Sequence, residues 1–217
     1  QTHTSQAKTL RLMVALHVPD SISIQSHRGI YEARFTPDLL TNPSVLLEGE
    51  PHFIIDSNIA RLYSKQLRSI LAHPNVILVD ATEQNKSLDS ASQIITSLVA
   101  QKTRRNHHLV AIGGGIIQDL VCFIASTLLR GVSWQLVPTT LLAQADSCIG
   151  SKSSINVGDA KNIVGTFYPP TKIYIDQNFL RTLHQNEIHS GIGEILKVHA
   201  IDSAESFNRV ASSLEAI

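Results

Sequence analysis

The 217-residue sequence is 43% hydrophobic and only 5% aromatic, enough to bury the core of one α/β domain and part of another. Its 18 basic residues balance 18 acidic ones without a block of like charge, which argues against nucleic acid or an anionic membrane as the main partner. No apolar run approaches the roughly 18 residues of a membrane span. The polar opening QTHTSQAKTL lacks both an initiating Met and the apolar core of a signal peptide, so a cytoplasmic, soluble fragment is expected.

In chain order, LMVALHVP (12–19) and IYEARF (30–35) read as strands around the turn-prone SHRG, an opening hairpin. HFII then reads as a strand, and from Ser57 onward Ile59, Leu62, Tyr63, Leu67 and Ile70 recur at helical spacing. NVILVD is the next strand, followed by the loop ATEQNK and a helix carrying Leu88, Ala91, Ile94, Ile95 and Leu98. HLVAIGGG supplies a third strand with a glycine turn, IIQDLVCFIASTLLR a long helix, and WQLVPTT and KIYID further strands. Strand alternating with helix is the signature of a wound, mostly parallel, Rossmann-like sheet. After Asp176 only helical patterning remains, so the chain divides into an α/β domain, 1–180, and the start of a helical domain, 181–217. Cys122 and Cys148 lie in apolar or small-residue stretches and read as buried thiols of a reducing compartment rather than a disulfide or metal pair.

Gly113, Gly114 and Gly115 end one apolar run and open another. Glycine tolerates the dihedrals of a sharp strand-to-helix turn, and bare backbone lets a pyrophosphate approach the free amides of a helix N-terminus. Gln118 stands where the dinucleotide fingerprint has its third glycine, and no Gly-Lys-Ser or Gly-Lys-Thr follows. By itself the motif fits a structural turn as well as a phosphate site.

Residues 130–170 add polar chemistry between apolar strands. Arg130 ends the long helix, Thr139 and Thr140 follow QLVP at the sheet's carboxyl edge, and Asp146, Lys152, Lys161 and Asn162 come soon after. Each alone suits a solvated loop. Together they suggest a pocket for a polyhydroxylated, anionic small molecule, with cations for phosphate or carboxylate and Asp and Asn for hydroxyls.

From about residue 45 to the end, the sequence resembles the 3-dehydroquinate synthases and the wider sugar phosphate cyclases. The resemblance rests on TEQNKSL, GGGIIQD leading into LLRGVSWQLVPTTLLAQADSCIG, SKSSINVGDAKNIVGTFYPP, IDQNFLRTL and SGIGEILK, matched in order and spacing. It implies a dehydroquinate synthase-like fold and a homodimeric lyase dependent on NAD and a divalent metal, zinc or cobalt. Such an enzyme converts 3-deoxy-D-arabino-heptulosonate 7-phosphate to 3-dehydroquinate and phosphate in aromatic amino acid biosynthesis. A hydride is taken up and returned, phosphate leaves by β-elimination, and ring opening and aldol closure follow.

Carried over by position, the resemblance implies NAD contacts at Asp56, at Glu83 and Lys86 of the 81–86 loop, and at Gly114, Gly115, Ile116, Ile117, Gln118 and Asp119. Thr139, Thr140, Lys152, Lys161, Phe179, Leu180, Arg181 and Thr182 complete them. Glu194 corresponds to a metal-binding carboxylate, and Lys197, three residues on along the same helical face, would hold substrate. Asp146 would bond substrate hydroxyls, with Arg130, Lys152 and Asn162 around the phosphate, Arg130 from across a dimer interface.

Some positions depart from the family pattern. Ser151, Ser153 and Ser154 alter the loop around Lys152, which leaves a sibling cyclase of valiolone or inosose type open. His184 replaces a proline after TL, a change expected to affect only the domain junction. The family's two metal-binding histidines lie beyond Ile217, and neither His189 nor His199, each five residues from Glu194, shares its helical face. His107 and His108 read as solvated. The chain alone is therefore expected to be inactive and poorly stable. Glycerol and iron-type alcohol dehydrogenases share the fold plan but lack the PTTLLAQADS run.

Overall fold

The computed structural model describes residues 19–215. Among the described residues nine strands are formed: β1 (Ser21–Ser26), β2 (Gly29–Phe35), β3 (Pro51–Asp56), β4 (Val76–Val79), β5 (His108–Gly113), β6 (Ser133–Pro138), β7 (Lys152–Val157), β8 (Ala160–Phe167) and β9 (Lys172–Ile175). The longer helices are α1 (Ser57–Leu62), α2 (Leu88–Ala100), α3 (Gly115–Thr127), α4 (Gln185–Asp202) and α5 (Ala204–Glu215). Seven strands make one sheet in the order β1-β2-β9-β6-β5-β3-β4, in which only the β1–β2 pair is antiparallel.

Both faces of the sheet are covered, which explains why its central strands read as unbroken apolar runs. Side chains alternate: Ile54, Leu109, Ala111, Leu136 and Ile173 join α2 and α3 in one core. Phe53, Ile55, Val110, Ile112, Val137 and Tyr174 join Ile59, Tyr63 and Phe179 on the opposite face. The chain leaves β3 toward that second face and leaves β5 toward the first, although β3 and β5 are neighbours. A crevice therefore opens between their carboxyl ends, where wound sheets seat ligands.

The expected wound α/β sheet is present, with three differences in detail. The turn at SHRG does close a hairpin, but the strand paired with β2 is Ser21–Ser26, and the expected first strand lies, but for Pro19, outside the described residues. The helix expected from Ser57 onward stops at Leu62 and resumes as one turn at Arg68–Leu71. The break lets Tyr63, Leu67 and Ile70 all reach the core, with the Tyr63 hydroxyl donating to the carbonyls of Asn178 and Phe179 at 3.1 Å each. The polar stretch 151–170, read as a loop, holds the antiparallel hairpin β7–β8, turned by Gly158 at φ +57° and Asp159. An isolated hairpin is marginal in water. This one is held against α3 by Ile155 in the first core and by Ser154, whose amide donates to Asp119 Oδ1 at 3.0 Å. Among the described residues no helix is long and apolar enough to cross a membrane.

Candidate functional site

The loops after β3, β4, β5, β6 and β9 all leave the same edge of the sheet because those strands are parallel. That edge gathers Asp56, the 81–86 loop, the glycine turn, Thr139 and Thr140, and the 3-10 turns of Gln177–Thr182. Asp56 caps α1, accepting from the Asn58 amide at 2.9 Å. Burial raises its pKa, and the nearby Glu187 and Asp80 add to the rise.

The three glycines do three different jobs, none of which is the dihedral freedom expected from the sequence, since none has positive φ. A Cβ on Gly113 would fall 2.5 Å from Ile117 Cγ1, so that glycine lets the first turn of α3 fold back on the strand end. One on Gly114 would meet Thr140 Cγ2 at 2.8 Å. At Gly115, the first residue of α3, a Cβ would meet nothing within 4 Å. Bare backbone there faces open space at a helix N-terminus, where free amides favour an anion. Beside it, the Thr139 amide donates to Gly113 O at 3.0 Å, while its buried hydroxyl has no hydrogen-bond partner among the described residues. A buried hydroxyl left unpaired costs free energy. An open cradle and an unpartnered hydroxyl fit a phosphate-bearing cofactor.

Next to the cradle, Lys86 Nζ donates to Asn162 Oδ1 at 2.7 Å and to Asp119 Oδ2 at 3.3 Å. Asn162 is in left-handed backbone at φ +55°, its amide donating to Asn156 Oδ1 at 2.8 Å. Asn156 Nδ2 in turn donates to Glu83 Oε1 at 2.9 Å. Burial raises the Asp119 pKa against the opposing pull of the Ser154 amide, Lys86 and Lys152. These residues tie the 81–86 loop, α3 and the hairpin into one polar cluster.

A second cluster forms where α4 meets the π-helical turn Ala143–Ser147. The carboxyls of Asp146 and Glu194 lie close enough to shift each other's titration, and Lys197 donates to Glu194 Oε1. Lys197 holds Glu194 below the usual carboxylate range, while burial and the adjoining Glu194 push Asp146 above it. The exposed Lys152 lowers both Asp119 and Asp146, so its charge acts on the two clusters together. α4 comes this close because of Gly191, whose Cβ would run into Leu141 at 2.6 to 2.9 Å.

Other expected positions do not converge as side chains. Arg130 is exposed past the far end of α3, a 13-residue helix that spans about 20 Å from the glycine turn. Ile117 is in the core, so only its backbone can meet a ligand, and Ile116 is half-buried. Gln118 is buried and bonded to Ser147. The Phe179 ring packs edge-on against Tyr63 at 5.1 Å, and the Thr182 hydroxyl pairs with Tyr63 at 2.9 Å. Leu180 is half-buried; Arg181 and Lys161 are exposed. His107, read as solvated, is bonded through Nδ1 to Nε2 of the buried His52 at 2.9 Å, and His108 is half-buried in β5. Cys122 and Cys148 are free and buried, with burial pushing the Cys148 thiol up to about 12.

For a metal, Glu194 and Asp146 offer two adjacent carboxylates. Among the described residues no three His, Cys, Asp or Glu side chains converge, and His199 is spent on Ser206 Oγ at 2.7 Å. The described residues do not complete a metal site. No functional role for Asn156, Tyr63 or Gly191 was legible in the residues alone. Their signals were slight: an amide in a serine-rich strand, an aromatic at a helix break, a glycine inside a helix.

Residues 76–190 match the family described as 3-dehydroquinate synthase N-terminal. The chain belongs to that family. Within it, the chain is 42% identical over 163 residues to the 3-dehydroquinate synthase of Enterococcus faecalis OG1RF, covering 73% of this chain and 46% of that protein. It is 33% identical over 210 residues to the 3-dehydroquinate synthase of Legionella pneumophila strain Lens, covering 92% and 55% respectively. The chain thus spans about half the length of these relatives. Among solved structures, it resembles the 2-epi-5-epi-valiolone synthase of Streptomyces hygroscopicus subsp. jinggangensis with NAD+ and Zn2+ bound, at 32% identity and a TM-score of 0.71, over 78% of this chain and 49% of that one. The matched segment thus covers the first polar cluster, with Asp119, Asn156 and Asn162, and Asp146 of the second, and ends before Glu194 and Lys197.

Proposed function

We propose that the protein provides the NAD-binding part of a 3-dehydroquinate synthase, converting 3-deoxy-D-arabino-heptulosonate 7-phosphate to 3-dehydroquinate and phosphate. The observation that carries this reading is the open backbone of Gly115 beside the unpartnered Thr139 hydroxyl, on the edge where Asp146, Glu194 and Lys197 meet. NAD, when bound, supplies reversible hydride acceptance. Gly114, Gly115 and the α3 amides would hold its pyrophosphate, Thr139 would bond it, and Glu83 would accept from a ribose hydroxyl.

Substrate would lie between the clusters. Lys152, whose charge already acts on Asp119 and Asp146, would meet the phosphoryl group and Asn162 would flank it. Glu194, kept ionised by Lys197, suits one ligand position of a divalent ion, with the remaining ligands from outside the described residues. Asp146, the less acidic partner, would bond substrate hydroxyls. Because Arg130 sits at the opposite end of α3, its phosphate role calls for a neighbouring subunit and so for a homodimer. Residues 1–180 are then the cofactor unit and 181–217 the start of the helical one. Two free buried thiols suit a cytoplasmic location.

The test is a full-length version given the heptulosonate phosphate. Phosphate release without net NADH is the expected result; steady NADH formation from a simple alcohol, with no phosphate released, would contradict it. A sibling cyclase is the second reading, favoured by Ser151, Ser153 and Ser154 and by the likeness to the valiolone synthase. A panel of sugar phosphates assayed for liberated phosphate separates the two.

A further inference from the structure

We infer that Asn156 is a positioning residue for the nicotinamide cofactor, acting through Glu83; this rests on the cofactor reading above. Asn156 sits in β7 where the hairpin register slips between Ile155 and Val157, and it is only 8% exposed. Irregularities of this kind re-aim a side chain out of the ladder. Here the amide leaves the hairpin and crosses to the 81–86 loop.

The side-chain and backbone N–H groups of Asn156 make that crossing, while Oδ1 holds the hairpin. Nδ2 donates to Glu83 Oε1 at 2.9 Å and to the Glu83 carbonyl at 3.2 Å. Oδ1 accepts from the Asn162 amide at 2.8 Å, and the Asn156 amide donates to the Lys86 carbonyl at 2.8 Å. Glu83 itself is exposed at the tip of its loop, and its Oε2 has no protein partner among the described residues. An exposed glutamate left alone samples several rotamers, and a ligand that needs one of them bears the ordering cost. Bonding Oε1 from a buried amide fixes the carboxylate before the ligand arrives and leaves Oε2 to accept a ribose hydroxyl. The alternative role, a brace for the hairpin alone, would leave the effect of Asn156 on cofactor affinity independent of Glu83.

The experiment is a double-mutant cycle on NAD affinity in the full-length enzyme, read by calorimetric titration, with melting curves for each variant. Asn156→Ala is expected to weaken NAD binding roughly tenfold, about 1.4 kcal/mol. Asn156→Asp, which keeps the acceptor for the Asn162 amide but sets a carboxylate against Glu83, should weaken it at least as much. It carries the test if the alanine variant does not fold. In a Glu83→Ala background, either change should cost less than about twofold. Variants that bind NAD like the unaltered enzyme would overturn the inference, and so would an equal loss in both backgrounds. An unaltered enzyme that fails to bind NAD would instead bring down the cofactor reading, and this inference with it.

Discussion

Gln118 and Ser147 hold each other twice: Gln118 Nε2 donates to the Ser147 carbonyl at 2.5 Å, and Ser147 Oγ donates to Gln118 Oε1 at 3.0 Å. One residue is on the helix that follows the glycine turn, the other on the turn that carries Asp146. The side chain at the fingerprint's missing glycine is therefore a brace between the helix of the glycine turn and the turn that carries Asp146. Gln118→Ala in the full-length enzyme should leave NAD affinity within about threefold while turnover falls roughly a hundredfold, the order expected for a displaced reacting group. Steady-state kinetics beside NAD titration checks this, and turnover near that of the unaltered enzyme would rule out the brace.

Gly191 sets the approach of Glu194 to Asp146. Gly191→Ala would force its Cβ against Leu141, costing about 1–3 kcal/mol of stability and pushing α4 off the turn. Adding Leu141→Ala removes the obstructing atoms, so the double variant should recover part of both melting temperature and turnover. A double variant no better than Gly191→Ala would contradict the steric account.

Lys86 is the cation that compensates the part-buried Asp119, at 3.3 Å. Lys86→Met should lower stability by about 1–3 kcal/mol near neutral pH. Without Lys86, the Asp119 pKa moves further up than burial already takes it, because a lowering influence is gone. A carboxyl with a raised folded pKa is least costly when protonated, so the deficit should shrink as pH falls toward the carboxylate range. Urea denaturation of both forms across pH measures this; a deficit that does not vary with pH would contradict it.

Acid should weaken the fold at the opposite edge of the sheet. His52 is buried, with Nδ1 3.0 Å from Gln101 Oε1 and Nε2 2.9 Å from His107 Nδ1. The neutral ring meets both partners when Nδ1 donates to Gln101 and Nε2 accepts from His107. Burial lowers the pKa of His52 and of His108, with neighbouring histidines adding to the drop. For a depressed histidine, the stabilising contribution is complete above the ordinary value of about 6.5 and is lost as pH falls through the folded value. Melting temperature should therefore decline below about pH 6.5, and His52→Gln should flatten that decline. An unchanged slope in the variant would exclude His52 as the source.

The parallel strands were legible because their burial on both faces leaves a plain apolar record, as in His108–Gly113. Sequence order could not show the crevice between β3 and β5, which depends on the chain leaving neighbouring strands toward opposite faces. The β7–β8 hairpin was hidden because its outer face is open, leaving Lys152, Ser154 and Lys161 to give it the composition of a loop. The glycine turn was located by sequence but misread in cause: space, not dihedral range, accounts for Gly113 and Gly114. Asp146 was legible in the polar stretch and Glu194 and Lys197 through resemblance, whereas the closeness that makes them a cluster needed Gly191, which carries no chemistry of its own.

The most direct measurement of the central claim is NAD titration of Gly115→Ala beside the unaltered full-length enzyme. A methyl there meets no protein atom within 4 Å, so the melting temperature should hold, while NAD affinity should fall at least about tenfold because the methyl occupies the cofactor's space. Unaltered affinity in that variant would mean that no cofactor sits at the glycine turn.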